Sequence, residues 1–316
     1  MSRIEMPRVS VLMPVRNGSA YLGAAIESVL TQSFTDFEFL ILDDGSTDDS
    51  LSVLHSYARR DPRIRLTSRE NRGLTATLNE LLDNARGEFI ARIDADDIAA
   101  PERLTRQVDF LQAQPQVLCV GGAFDLIDDA GRFLTTLYPP TSDDEIQRQL
   151  LRGHCAINHP TIMARLRPIL AVGAYQCDLV EDHDLWLRLG ERGQLANLSE
   201  VLLRYRVHSA SLSQQAGMRQ RTAGRAVCER AWQRRNLTDA VYEGGAHWRP
   251  GTDRASRYEF MLRYGWWAWN SRERVTAQLY GTRAIRARPL GVEGWKLLLV
   301  SLLKPFDARM AQPSRG

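Results

Sequence analysis

The chain has 316 residues, 44% hydrophobic and 25% charged, which excludes a disordered protein and allows one large domain or two ordinary ones. Its net charge of +3 conceals a split: residues 1–200 hold 20 basic and 30 acidic side chains, and residues 201–316 hold 21 and 8. This division into −10 and +13 excludes a uniformly basic nucleic-acid binder, and no nucleic-acid partner is expected.

Val9–Val15 (VSVLMPV) reads as a short buried strand ending near a proline, and residues 19–31 show helical spacing through Leu22, Ile26, Val29 and Leu30. Phe37–Leu42 is a second strand, running into Asp43-Asp44-Gly45-Ser46. Thr47-Asp48-Asp49 supplies capping chemistry for a helix through Leu51, Val53 and Leu54. Ile64–Leu66 is a short third strand, and Leu74–Ala85 a helix. Glu88–Ile93 is a fourth strand, ending at Asp94, and Pro101 is placed to begin the next helix. The alternation predicts an α/β fold with an open, mostly parallel sheet, whose ligands bind at the carboxyl ends of the strands. Beyond residue 115, strands are expected at Val117–Phe124, Arg132–Leu137, Thr161–Met163 and Val201–Tyr205. Ser142 with Glu145 fits a capping box, and a helix begins near Asp182. From about residue 213 the pattern is helical, near 216–236, 253–270, 272–287 and Gly291–Leu303.

Cys119, Cys155, Cys177 and Cys228 form no CxxC pair, which argues against structural zinc and a disulfide framework and fits a cytoplasmic setting. The first ten residues contain no apolar signal core, and no run of 18 apolar residues occurs. GxGxxG, GxxxxGK[ST], HExxH and GxSxG are all absent, which removes the usual evidence for a dinucleotide dehydrogenase, a P-loop NTPase, a zinc protease and an α/β hydrolase.

Acidic clusters carry the chemistry. Asp94 and Asp96, two residues apart at a strand end, can share a divalent cation; equally, they form a solvated acidic turn in which Asp97 caps a helix. Asp44 can accept a hydrogen bond from a nucleobase N–H, or belong to a plain strand–turn–helix junction. Arg72, ahead of a helix N-terminus, suits a diphosphate or a simple turn. Glu181-Asp182-His183-Asp184 opens an apolar helix with more titratable groups than capping needs, and a carboxylate there can act as a general base. His208, after a strand, can complete a metal shell or do neither. His154 and His159 can line an acceptor pocket or stabilise a loop.

Five segments taken together are more specific than any of these motifs alone. VSVLMPVRNGSAYLGAAIESVLTQSFTDFEFLILDDGSTDDS, NRGLTATLNELLDNARGEFIARIDADDIAAPERLTRQVDFL, GHCAINHPTIMAR, EDHDLWLRL and LLRYRVHSASLS closely resemble family 2 of the glycosyltransferases, in that family's order. The resemblance covers roughly residues 7–215. It implies a GT-A fold and an inverting transfer from a nucleoside-diphosphate sugar, usually of UDP, to a hydroxyl of a glycan or lipid-linked acceptor, as in bacterial cell-surface polysaccharide synthesis. It places Pro14, Arg16, Asn17, Asp44, Arg72 and Asp94 around the nucleotide. It makes Asp96, with Asp94 and His208, the ligands of Mn²⁺ or Mg²⁺. It makes Asp182 the base, with Glu181 supporting it or the acceptor, and gives Trp186 a structural or acceptor-side place. Two rivals are a non-catalytic nucleotide-sugar binder on the same fold and a sugar-phosphate nucleotidyltransferase. The second would need a glycine-rich basic loop, which PVRNGSAYL lacks.

The expected division is a catalytic domain over 1–215 and a helical region over 216–316. The latter contains six of the seven tryptophans, Trp186 being the exception, with the cluster Tyr264-Gly265-Trp266-Trp267-Ala268-Trp269 and GVEGWKLLLVSLLKPF with Lys296 and Lys304. Such a region suits docking on the cytoplasmic face of a membrane, or ordinary packing on the catalytic domain or in a homo-oligomer.

Overall fold

Every residue of Val9–Val15 (β1) is buried, and the strand has a parallel neighbour on each side. In the computed structural model, which describes residues 6–208, 217–244 and 253–306, β1 lies between β2 (Phe37–Asp44) and β4 (Phe89–Arg92). β3 (Ile64–Arg69) pairs parallel with β2 on its far side. Strands covered on both faces read as continuous apolar runs, which is why these were legible from composition alone. Three helices form the βα connections: α1 (Ser19–Leu30), α2 (Ser50–Arg60) and α3 (Leu74–Asn84).

β4 marks a change of direction. Beyond it comes β8 (Met163–Arg165), antiparallel to β4, then β6 (Val117–Ile127), antiparallel to β8. The full order is β3-β2-β1-β4-β8-β6-β9-β5, with β7 (Phe133–Leu137) paired to β6 off that path. β9 is Gln194–Arg206, and β5 (Ile98–Ala99) runs antiparallel to it. The expected strand at Thr161–Met163 is displaced: His159–Thr161 makes a 3-10 turn, and the strand follows it.

Several local expectations change in the folded chain. The next helix, α4 (Arg103–Ala113), does not begin at Pro101. Ala100 N–H is bonded to Leu202 O at 2.9 Å and Pro101 O accepts from Ser33 N–H at 3.0 Å, so this stretch is held by its neighbours before the helix can begin. Asp97 therefore does not cap α4; it is buried in the turn before β5. Ser142 precedes α5 (Asp143–Leu151) without making a side-chain cap bond, and Glu145 pairs instead with Arg148 at 2.7 Å.

The described residues fall into two compact units. The first draws on Met1–Phe124, Pro139–Arg204 and Met218–Gly245. Its core includes Leu12, Leu40, Leu78, Ile90, Leu185 and Trp186. α6 (Leu166–Ala171), α7 (Glu181–Leu189) and nearly all of α8 (Gly217–Arg234) belong to it. The second draws on Asp125–Tyr138, Tyr205–Gly217 and Ala246–Gly316. It contains β7 and three helices: α9 (Arg254–Asn270), α10 (Arg274–Ala287) and α11 (Val292–Leu303). Tyr264 and Trp269, from the aromatic cluster, are buried in this unit, and Trp269 packs on Phe306 with ring centroids 4.6 Å apart. Residues 209–216, the last part of the LLRYRVHSASLS segment, lie outside the described residues, as do Trp248 and the N-terminal MSRIE. No described helix is long and apolar enough to cross a membrane.

Candidate active site

The carboxyl ends of β1, β2 and β4 point the same way, so the segments that follow them meet at one edge. Pro14 is buried within β1; Arg16 and Asn17 are exposed just beyond its end. Asn17 has a positive φ of 51°. Its Oδ1 accepts from Thr47 N–H at 2.8 Å, and its own N–H donates to Ser46 Oγ at 2.9 Å. Asn17 thus ties the loop after β1 to the loop after β2.

Asp44 ties the second loop to the third. Its carboxylate is buried and accepts from the backbone N–H of Arg72 at 2.9 Å and of Gly73 at 3.0 Å. It also pairs with the Arg69 guanidinium, which in turn bonds Glu80 at 2.7 Å. Gly45 permits this approach: its φ is +72°, and a Cβ there would sit 2.7 Å from Asn71 N. The Arg72 side chain is left exposed at the start of α3. Arg69 was not singled out from sequence; its signal was a lone arginine at the end of a strand facing an acidic turn.

After β4, Asp94, Asp96 and Asp97 each offer a carboxylate oxygen, all within 4.8 Å of one another. Three hard oxygen donors so close fit a hard divalent cation such as Mg²⁺ or Mn²⁺. Asp94 is oriented by a forked pair with Arg92, one bond of which measures 2.7 Å. Arg92 is 4% exposed. A guanidinium buried in an apolar strand demands such a partner. That unpaired-looking arginine in EFIARI was the available signal, and sequence reasoning passed over it.

The acidic run at α7 divides its work. Asp184 is buried against Arg188 at 2.6 Å and serves packing. His183 bonds Leu150 O at 2.9 Å. Asp182, half-buried, accepts from His183 N–H at 2.7 Å. Glu181 is buried, and burial together with the Asp182 carboxylate pushes its pKa up to about 8. Its field includes Arg92 and Asp94, so α7 and the turn after β4 share one electrostatic environment. His159 completes it: its Nε2 lies 2.8 Å from the Tyr175 hydroxyl and its Nδ1 3.8 Å from Glu181. Burial, and then Arg92, hold the His159 imidazole well below its ordinary value, so it is neutral. Tyr175 is a further residue that sequence reasoning missed; it stands in a loop without a motif. His154 instead pairs with Glu243 at 2.8 Å and stabilises a loop. Trp186 is fully buried in the core, edge-on to His159 at 5.8 Å.

The first unit thus gathers Asn17, Asp44, the Arg72 backbone, Asp94, Asp96, Glu181 and Asp182 from five separate stretches of chain. His208 belongs to the second unit, and the close carboxylate group among the described residues does not include it.

Comparison with known proteins accords with this arrangement. Residues 10–173 match the sequence profile of glycosyl transferase family 2. The O-antigen biosynthesis glycosyltransferase WbnJ of Escherichia coli is 33% identical over 221 residues, covering 68% of this chain and 86% of WbnJ. Among solved structures, TarS 1–349 of S. aureus in complex with UDP-GlcNAc superposes with a TM-score of 0.56 at 16% identity, covering 93% of this chain and 85% of that one. The mannosyltransferase PcManGT of Pyrobaculum calidifontis, in complex with GDP-Man and Mn²⁺, gives 0.56 at 16% identity, covering 95% and 81%. At such identity the structural likeness concerns the fold.

Proposed function

This chain belongs to glycosyl transferase family 2, and on that premise we propose that it moves a sugar from a nucleoside diphosphate, UDP by our reading, to a hydroxyl of a glycan or lipid-linked acceptor, with inversion at the anomeric carbon. The observation that carries the proposal is the trio Asp94, Asp96 and Asp97, set at the carboxyl edge of the parallel strands and in the electrostatic reach of Glu181. WbnJ's part in O-antigen biosynthesis supports a cell-surface polysaccharide as the product class.

In this reading Pro14, Arg16, Asn17 and Arg72 line the nucleotide. Asp44 faces the base, and its bonds to the Arg72 and Gly73 N–H groups fix where it points. Asp96 and Asp94 would hold Mn²⁺ or Mg²⁺, and the ion's contribution would be to offset charge on the diphosphate. PcManGT, bound to GDP-Man and Mn²⁺, supports that assignment.

Asp182 takes the proton of the acceptor hydroxyl. The hydroxyl oxygen attacks the anomeric carbon from the face opposite the diphosphate. The carbon–oxygen bond to the diphosphate breaks, its electron pair stays with the leaving phosphate oxygen, and a nucleoside diphosphate departs. Glu181, whose pKa burial and the neighbouring Asp182 push up, supports Asp182 or the acceptor. Catalysis is assigned to residues 1–215, and acceptor or surface placement to residues 216–316.

A thermal-shift screen of nucleoside diphosphates and nucleotide sugars with Mn²⁺ tests the proposal. A uridine diphosphate should stabilise the protein, EDTA should remove the shift, and Asp96→Ala should abolish the metal-dependent part. Equal shifts with and without EDTA would remove Asp96 from the ligand set. Release of pyrophosphate, not a nucleoside diphosphate, would identify a nucleotidyltransferase.

A further inference from the structure

α11 is apolar on both faces. Its inner side, Gly294, Leu297 and Ser301, is buried within the second unit, where a Cβ added to Gly265 would meet Leu297 at 2.3 Å. Its outer side carries Val292, Trp295, Leu299, Leu302 and Leu303, of which Val292 is 74% and Leu303 77% exposed. These positions follow one another by three, four, three and one residues, so a helix of 3.6 residues per turn lays them in a single stripe. Leu290, 95% exposed, stands immediately before the helix. Water-facing helix surfaces are ordinarily polar, and a contiguous apolar stripe marks a contact surface.

Charge identifies the partner. Residues 253–306 hold ten basic and four acidic side chains. Lys296 is exposed at the border of the stripe, 3.6 Å from the equally exposed Glu293, and Lys304 follows the helix end. A second copy would bring together two helical regions of net positive charge, whereas an anionic lipid surface offers hydrocarbon to the stripe and negative headgroups to its flanks. Trp295 is suited to that boundary: its ring is half exposed while its Nε1–H donates to Pro289 O at 2.9 Å. Twelve residues of helix reach only about 18 Å, which is too short to span hydrocarbon, so the helix must lie in the plane of the surface.

We propose that the outer face of α11 is a docking surface for anionic lipid, with Trp295, Leu299 and Leu302 entering the interface and Lys296 and Lys304 meeting the headgroups. This goes beyond the transferase reading and does not depend on it, because binding is measured without nucleotide, metal or acceptor.

The full chain is sedimented with vesicles of phosphatidylcholine alone and of phosphatidylcholine mixed with phosphatidylglycerol. It should pellet with the mixed vesicles, less with the neutral ones, and be released by salt. Leu299→Glu with Leu302→Glu should lower partitioning by about tenfold or more. The melting temperature should not fall, since both side chains face outward. Lys296→Glu with Lys304→Glu should remove the preference for anionic vesicles while keeping the apolar face. The proposal is overturned if the wild-type chain stays in solution with both vesicles, if it binds both equally, or if the leucine variant binds as the wild type does. Sedimentation velocity gives the remaining outcome: dimers that the leucine variant dissolves, without vesicle binding, would make a second copy the occupant.

Discussion

Single carboxylates at the site differ in role because their surroundings differ. Asp184 is held by Arg188 inside α7, whereas Asp182, two residues earlier, remains half-buried and accepts from its neighbour's N–H. Burial, and then the Asp182 carboxylate, push the Glu181 pKa up, so the two neighbours stand in different surroundings. Asp182→Asn keeps the shape and removes the proton acceptor. Turnover should fall by ~10²–10⁴-fold while donor binding, read by thermal shift, is retained. A variant with normal donor binding and full turnover would show that another group accepts the proton.

At the scale of elements, the site exists because loops from different strands are bonded to each other. Asp48 shows how. Its carboxylate accepts from Ser19 N–H at 3.1 Å, at the start of α1, and from Ser50 N–H at 3.0 Å, at the start of α2. One side chain therefore satisfies two helix N-termini, which is more than the local cap its sequence suggested. Desolvation opposes its ionisation, but the hydrogen bonds from Ser50 and Ser19 outweigh it and lower its pKa to about 2. A folded value below the ordinary 3.8 means that the stabilisation is present above pH 3.8 and disappears as pH falls through about 2. Asp48→Ala should cost about 1 kcal/mol at neutral pH. Denaturation curves of the two proteins should converge in acid; a full-sized gap that persists below pH 2 would place the effect elsewhere.

For the whole molecule, the sheet's change from parallel to antiparallel beyond β4 sets the demands on β6 and β9. Their close approach needs glycine: a Cβ on Gly122 would meet Leu202 Cδ1 at 2.5 Å, and one on Gly121 would meet Asn197 Oδ1 at 2.4 Å. Gly122→Ala should destabilise the protein by about 1–3 kcal/mol through overpacking, read by chemical denaturation; an unchanged midpoint would mean that Leu202 can move aside freely. The charge split also acquires a finer structure. Arg230, Arg234 and Arg235 of the basic region are committed inside the first unit, to Asp184, Glu191 and the Leu187 carbonyl.

Much of this was legible in the chain itself. Local apolar periodicity fixes β1 to β4 and α1 to α3, because a strand buried on both faces and a helix buried on one leave different spacings. Short acidic motifs at strand ends suffice to mark the site's edge. Partnership between distant residues is not encoded locally. Arg92 beside Asp94, Asp44 under the Arg72 backbone and Tyr175 against His159 are visible only when folding brings them within a few ångströms. The aromatic cluster makes the same point: periodicity could not say that Tyr264 and Trp269 face inward, while the leucines and Trp295 of α11 face outward. Sequence determines which surfaces are apolar or charged; tertiary packing alone decides which of them remain to meet something else, because burial depends on neighbours that lie far apart in the chain.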